Sequence, residues 1–198
     1  SVMGAARFPT QLIEASLAMK FIRDNAEKYG TNKDEIFVIG SSAGGHLAAM
    51  LGTMWHKNFI YDATDMPYGY NKPTGMILCY PVITSDKKYA HEDSFRKLLG
   101  SDRLSDDSAR KSVSIERNVT KETVPAFIWH TRPDSGVNVM NSLLLADALS
   151  KKNIPYELHI YPEGGHGMGL CQKNFGSDNA YNHDWIRCAE HWMRSFDK

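Results

Sequence analysis

Residues 36–51 read Ile36-Phe37-Val38-Ile39-Gly40-Ser41-Ser42-Ala43-Gly44-Gly45-His46-Leu47-Ala48-Ala49-Met50-Leu51. The apolar run at the start, mostly β-branched, predicts a strand over 35–39, and the small-residue stretch after it predicts a helix over roughly 44–54. Between them Gly40-Ser41-Ser42-Ala43-Gly44 is a G-x-S-x-G pattern in the strand–turn–helix context that gives it meaning. The flanking glycines allow a tight reversal and, having no Cβ, keep clear of the neighbouring strand and helix. Ser42 is then expected at the carboxyl end of the strand, under the positive end of the following helix. The amide of Ala43 becomes a donor for a developing oxyanion. By itself the pentapeptide fits a glycine-rich turn without chemistry equally well. A phosphate cradle is disfavoured, because no Gly-Lys-Ser/Thr ending and no G-x-G-x-x-G spacing accompanies it.

The chain has 198 residues, enough for one domain with a sizeable core and too few for two comfortable ones. Its 23 basic and 23 acidic residues cancel, and no basic run or stripe occurs, so nucleic acid is not an expected partner. No stretch approaches the roughly 20 apolar residues of a membrane span. Cys79, Cys171 and Cys188 are an odd, widely spaced set. They suit neither a C-x-x-C metal pattern nor a disulfide framework and read as partly buried thiols in a reducing compartment. With no secretory signal read in a chain that opens on Ser1, the expected location is cytoplasmic. No metal or organic cofactor is expected.

A helix from Pro9 to Tyr29, with Ile13, Leu17 and Phe21 on its apolar side, is expected to stop at Gly30. Residues 55–74 read as mixed, with Pro67, Gly69 and Pro73 marking loop, and Met76–Tyr80 as a strand buried on both faces and ended by Pro81. The polar segment 84–123 reads as short helices and loops, an irregular insertion or cap over a site. Further strands are predicted at Ala126–Trp129 and Tyr156–Tyr161. Helices are predicted at Val139–Lys152, with Leu143, Leu144, Ala146 and Leu149 inward, and at Asp184–Phe196. Alternating strands and helices give one α/β domain over 1–198: a mostly parallel sheet with helices on both faces, whose ligands bind at the carboxyl ends of its strands.

A serine hydroxyl is a weak nucleophile and needs a base within reach. His166, in Glu163-Gly164-Gly165-His166-Gly167 after the last strand, is the candidate base. Asp134, in Thr131-Arg132-Pro133-Asp134-Ser135-Gly136, is the candidate orienting acid, with Asp86 as the fallback. Taken singly, a surface histidine and a turn aspartate explain them as well. Together, Ser42, Asp134 and His166 each fall just past a predicted strand, in the chain order Ser…Asp…His of α/β-hydrolases. Ser41 reads as a turn residue, His46 as packing or capping, and His130 as lining the site or supporting a strand end. His91 with Glu92 and Asp93 lacks metal-ligand spacing. His183-Asp184 reads as a helix cap.

At this point the residues resemble a known family: the esterase/lipase-like α/β-hydrolases that include bacterial acetyl-esterases and hemicellulose deacetylases. The resemblance runs from Phe8-Pro9 through Gly169. It is carried by Gly40–Ala48, Leu78-Cys79-Tyr80-Pro81-Val82-Ile83-Thr84, Ala90-His91, Ser94-Phe95, Trp129-His130-Thr131, Asn141-Ser142 and Gly164–Gly167. It implies a serine carboxylic-ester hydrolase with Ser42 as nucleophile, Asp134 as acid and His166 as base, acting through an acyl-enzyme on short esters such as acetylated sugars. Formamidase or peptidase chemistry on the same scaffold, or a non-catalytic binding homologue, are the alternatives. Two departures stand out. Arg132-Pro133-Asp134 replaces the family's usual pair of acids after His-Thr-Ala, and Val137-Asn138 replaces Val-Pro. The family also carries an upstream His-Gly-Gly loop that supplies the other oxyanion donor, together with the first strands of the sheet. Neither is present in these residues, which sets the expectation of an N-terminally incomplete domain whose missing strands come from a companion fragment, another subunit or a native upstream region outside this sequence, with homo-oligomerisation as a further possibility.

Overall fold

The structure is a computed structural model that describes residues 6–171 and 184–196. It begins with α1 (Thr10–Asp24) and α2 (Ala26–Tyr29), followed by β1 (Phe37–Ser41), α3 (Ala43–Met54), α4 (Asn58–Thr64) and β2 (Gly75–Cys79). Next come α5 (Glu92–Leu99), α6 (Asp107–Val113), α7 (Ile115–Asn118), β3 (Ala126–Thr131), α8 (Met140–Lys151), β4 (Tyr156–Tyr161) and α9 (Trp185–Arg194). The four strands lie in the order β1-β2-β3-β4, all parallel, with Phe37 opposite Gly75, Met76 opposite Ala126 and Ala126 opposite Tyr156.

Strand periodicity divides the interior in two. Met76 and Leu78 of β2, with Ala126 and Ile128 of β3, point into the larger cluster, which also takes Leu12, Met50, Met54, Phe95, Val113, Ile115, Leu145 and Leu149 from α1, α3 and α5–α8. Their odd-numbered neighbours Ile77, Cys79, Phe127 and Trp129 point the other way, against Trp185, Ala189 and Trp192 of α9. Helices between successive parallel strands collect on one face when every crossover has the same hand, and here they do. The opposite face is left to α9.

Local expectations were corrected in several places. The first helix breaks at Asn25 into α1 and α2, and in the mixed segment 55–74 α4 precedes the loop that Pro67, Gly69 and Pro73 mark. On α1 the buried residues are Leu12, Ser16 and Met19, while Leu17 and Phe21 are exposed. On α8 Leu143 is exposed and Asn141 and Ser142 are buried, because both are hydrogen-bonded inside: Asn141 Oδ1 accepts from the Ile83 and Thr84 amides. In the 84–123 segment, α6 and α7 pack into the larger cluster through Ala109, Val113 and Ile115. Only α5 reaches the rim of the site. Asp184 stands at the N-cap of α9 without a side-chain capping bond, and His183 lies outside the described residues. Among the described residues no helix is long and apolar enough to cross a membrane.

Candidate active site

Ser42 closes β1 and caps α3 with φ 54 and ψ −120, a backbone conformation L-residues rarely adopt. Its surroundings hold it there. The Ser42 amide donates to Cys79 O at 2.9 Å, and its carbonyl accepts from the Val82 amide at 3.1 Å and the His46 amide at 3.2 Å. A Cβ on Gly40 would lie 2.2 Å from Gly44 O, and one on Gly45 would lie 2.8 Å from Pro81 Cβ, so both turn positions exclude a side chain. Gly44 has nothing within 4 Å of a Cβ. The tight approaches therefore fall on Gly40 and Gly45, and the second glycine of the G-x-S-x-G pattern is not one of them.

A serine in this position commonly spends its hydroxyl on a helix amide. Ser42 makes no such bond, and its Oγ lies 2.7 Å from His166 Nε2. His166 Nδ1 lies 2.8 Å from Asp134 Oδ2. The structure thus brings together the three residues separated by 92 and 32 positions in the chain. His166 stands edge-on to Tyr80, centroids 5.1 Å apart, and its ring lies so close to Gly136 that a Cβ there would meet Cγ at 2.8 Å. Tyr80 itself has φ 38, so two strained residues at the ends of adjacent strands flank the imidazole.

Asp134 is buried and every oxygen lone pair has a donor. Oδ1 accepts from the Gly136 amide at 2.8 Å and the Val137 amide at 2.9 Å. Oδ2 faces His166 and, at 3.2 Å, His130 Nε2. Burial alone would raise its pKa, but the hydrogen bonds from His130, His166 and the Val137 amide outweigh it and hold the carboxyl at about 2. His130 is the residue the sequence reading left undecided. Its Nε2 faces two acceptors, Asp134 Oδ2 and Val137 O (2.9 Å), so that nitrogen carries the proton, and Nδ1 then accepts from Ser142 Oγ at 2.8 Å. The signal available in sequence was the i, i+4 spacing of His130 and Asp134 across a proline turn.

The remaining candidates fall elsewhere. Asp86 closes a turn, its Oδ1 accepting from the Lys88 amide, and takes no part in the relay. His46 is buried beside Phe95 with Nδ1 3.0 Å from Val82 O, and burial holds its pKa down at about 4. His91 caps α5, its Nδ1 accepting from the Ser94 amide. Ala43, the first residue of α3, has no carbonyl a turn earlier in the helix to receive its N–H, and it lines the same cavity as Ser42. That cavity holds about 620 Å³. Its wall is apolar (Ala15, Leu47, Met50, Val82, Phe95, Leu98), and Gln11, Glu14, His91, Asp93 and Lys97 bring polar groups to it. A proton on Ser42 Oγ can pass to His166 while Asp134 holds the other ring nitrogen, an arrangement suited to making an oxygen nucleophile.

Comparison with known proteins bears on the fold and the family. An acetyl ester-xyloside bifunctional hydrolase from Caldicellulosiruptor lactoaceticus superposes with a TM-score of 0.82 at 37% identity, over 96% of this chain and 67% of that one. A carboxylesterase from Lactobacillus plantarum superposes with a TM-score of 0.79 at 22% identity, over 98% and 70%, a likeness of fold. The fold is that of the α/β-hydrolases. In sequence, endo-1,4-beta-xylanase B of Butyrivibrio fibrisolvens is 38% identical over 170 residues, which are 84% of this chain and 26% of that protein. Acetylxylan esterase of Xylanibacter ruminicola is 29% identical over 178 residues, 89% of this chain and 34% of that one. The chain therefore spans about a quarter to a third of the length of these curated relatives. The BD-FAE family pattern matches residues 1–149, most of the 198 and the whole stretch from α1 through the Ser42 turn to Asp134, and the chain belongs to the BD-FAE family.

Proposed function

We propose that this chain is a serine carboxylic-ester hydrolase that works through an acyl-enzyme on short acyl esters, acetyl groups on sugars foremost. The observation that carries the reading is the continuous relay Ser42 Oγ–His166–Asp134 at 2.7 and 2.8 Å, set on a strained strand-to-helix turn. Ser42 attacks the ester carbonyl as His166 Nε2 takes its proton. The imidazolium, stabilised by ionised Asp134, returns that proton to the departing alcohol. A water activated by His166 then releases the acid. The Ala43 amide faces the charge developing on the carbonyl oxygen. The cavity beside Ser42 suits the substrate class, with an apolar wall for the acyl methyl and the sugar face and polar groups for hydroxyls. The sugar-ester names of the Xylanibacter and Caldicellulosiruptor relatives point the same way.

The second oxyanion donor has no candidate on this relay, and among the described residues β1 pairs only with β2. We read the open edge of β1 as the docking line for a further strand from a polypeptide segment outside these 198 residues, which also brings that donor. Ile39, in the middle of β1, is 59% exposed, as expected of a strand awaiting cover.

A fluorophosphonate probe followed by peptide mass spectrometry tests the reading. The expected result is one adduct on Ser42, abolished in Ser42→Ala together with turnover of aryl acetates and acetylated xylo-oligosaccharides. Loss of turnover of about 10⁴-fold or more is expected for that variant. Turnover that survives Ser42→Ala sinks the assignment, and faster hydrolysis of N-formyl or aminoacyl amides than of acetates redirects it to amide chemistry.

A further inference from the structure

On the face of the sheet covered by α9, the inward side chains of β2 and β3 are apolar or aromatic: Ile77, Cys79, Phe127 and Trp129. The same face of β4 carries Glu157 and His159, two residues apart and so on one side of the strand. Opposite them, α9 turns inward the stripe Trp185, Cys188, Ala189, Trp192, at the i, i+3, i+4, i+7 spacing of a buried helix face. A carboxylate, an imidazole and a thiol therefore converge between one strand and one helix. Their ligating atoms all lie within 4.8 Å of one another, and each residue is half-buried.

We infer that Glu157, His159 and Cys188 form a binding site for a borderline-soft divalent cation, Zn²⁺ foremost, that clips α9 to β4. The donor chemistry is what selects the ion. A thiolate excludes Mg²⁺ and Ca²⁺, which take oxygen ligands, whereas sulfur, nitrogen and carboxylate oxygen together are a zinc set. One thiolate and one carboxylate balance two positive charges, so the filled site is neutral and can sit half-buried at little desolvation cost. Tetrahedral coordination at ordinary zinc bond lengths spaces the ligand atoms by about 3.5 Å. The hydrogen-bonded pair His159 Nε2 and Glu157 Oε1, now 2.6 Å apart, has to open by about 1 Å to reach that spacing, and Cys188 Sγ already lies within 4.8 Å of both. Side-chain rotation supplies the opening. The imidazole is already oriented, lying between Phe127 (centroids 5.2 Å apart) and the parallel ring of Tyr161 (6.2 Å). Water fills the fourth position. Glu157 and His159 lie along β4, before the carboxyl end that leads to His166, so the ion stands apart from the Ser42 relay.

Co²⁺ added alone to the purified chain is the direct probe, because a cobalt–thiolate bond gives a near-ultraviolet charge-transfer band. The expected result is a band that saturates at one equivalent, is displaced by Zn²⁺, and is lost in Cys188→Ser and His159→Gln. Zn²⁺ alone, at about a hundred times its Kd, is expected to raise Tm by about 5–10 °C in the unmutated chain and not in Glu157→Gln. Absence of the band in the unmutated chain overturns the site. So does a band that persists in Cys188→Ser, which places the thiolate at Cys79 or Cys171. His159→Gln, which keeps every thiol, decides the matter if Cys188→Ser fails to fold.

Discussion

Ser42 occupies a conformation that costs on the order of 1–3 kcal/mol, held by its amide bond to Cys79 O and its carbonyl bonds from Val82 and His46. His46 therefore supports the turn through its backbone, while its buried ring packs on Phe95. That ring also sets a pH dependence. Its folded pKa of about 4 lies below the ordinary histidine value, so the unfolded chain binds more protons between the two. Stability is then full above about pH 6.5 and falls as pH drops toward 4, by on the order of 3 kcal/mol from this residue. Urea unfolding at a series of pH values between 4 and 7 checks it: His46→Leu is expected to flatten the slope, and equal slopes in the two proteins sink the idea. Asp134 behaves differently. Four donors keep it ionised down to about pH 2, so the support it gives His166 persists across the whole range in which histidine titrates.

At the scale of elements, the turn between β1 and α3 shows how a motif and its physical cause can part. Gly40 and Gly44 are equivalent in G-x-S-x-G, yet only Gly40 is pressed against backbone. Gly40→Ala is expected to cost about 3 kcal/mol or more, read as a fall in the urea midpoint at unchanged slope. Gly44→Ala meets open space in the first turn of a helix and is expected to be neutral or stabilising by up to about 1 kcal/mol. Equal losses at the two positions would refute the distinction. The interior strands β2 and β3 were legible in sequence because burial on both faces leaves a continuous apolar run. The inward faces of α1 and α8 were not. Leu17, Phe21 and Leu143 look like core residues, whereas Ser16, Asn141 and Ser142 are buried in their place. Apolar periodicity is blind to polar groups whose hydrogen bonds are completed by distant backbone, as Asn141 completes those of Ile83 and Thr84.

The molecule as a whole is asymmetric about its sheet. One face is covered by α3, α5–α8 and α1, the other by α9. Among the described residues the strand that presents Ser42 lies at the unpaired β1 edge of the sheet, where Ile39 is exposed, and α1 leaves Leu17 and Phe21 exposed as well. Unpaired strand edges invite association. If the proposed companion strand brings the second oxyanion donor, the 198-residue chain alone is expected to self-associate in sizing chromatography and to turn over acetate esters at least ~10²-fold more slowly than the assembled protein. A monomeric chain with undiminished rate when tested alone would remove the need for a companion.

The sequence by itself determined the strand–turn–helix that exposes Ser42, the parallel α/β arrangement, and the chain order of Ser42, Asp134 and His166. The first two follow from short-range patterning, in which residue type and spacing act within a few positions of one another, and the third is simply the order of the residues along the chain. Only the tertiary structure decided that the three side chains meet at 2.7 and 2.8 Å, that His130 Nε2 lies 3.2 Å from Asp134 Oδ2, and that Glu157 and His159 face Cys188. Each of these contacts joins segments that the sheet register and the packing of α8 and α9 bring together. Distance along the chain carries no record of such a meeting.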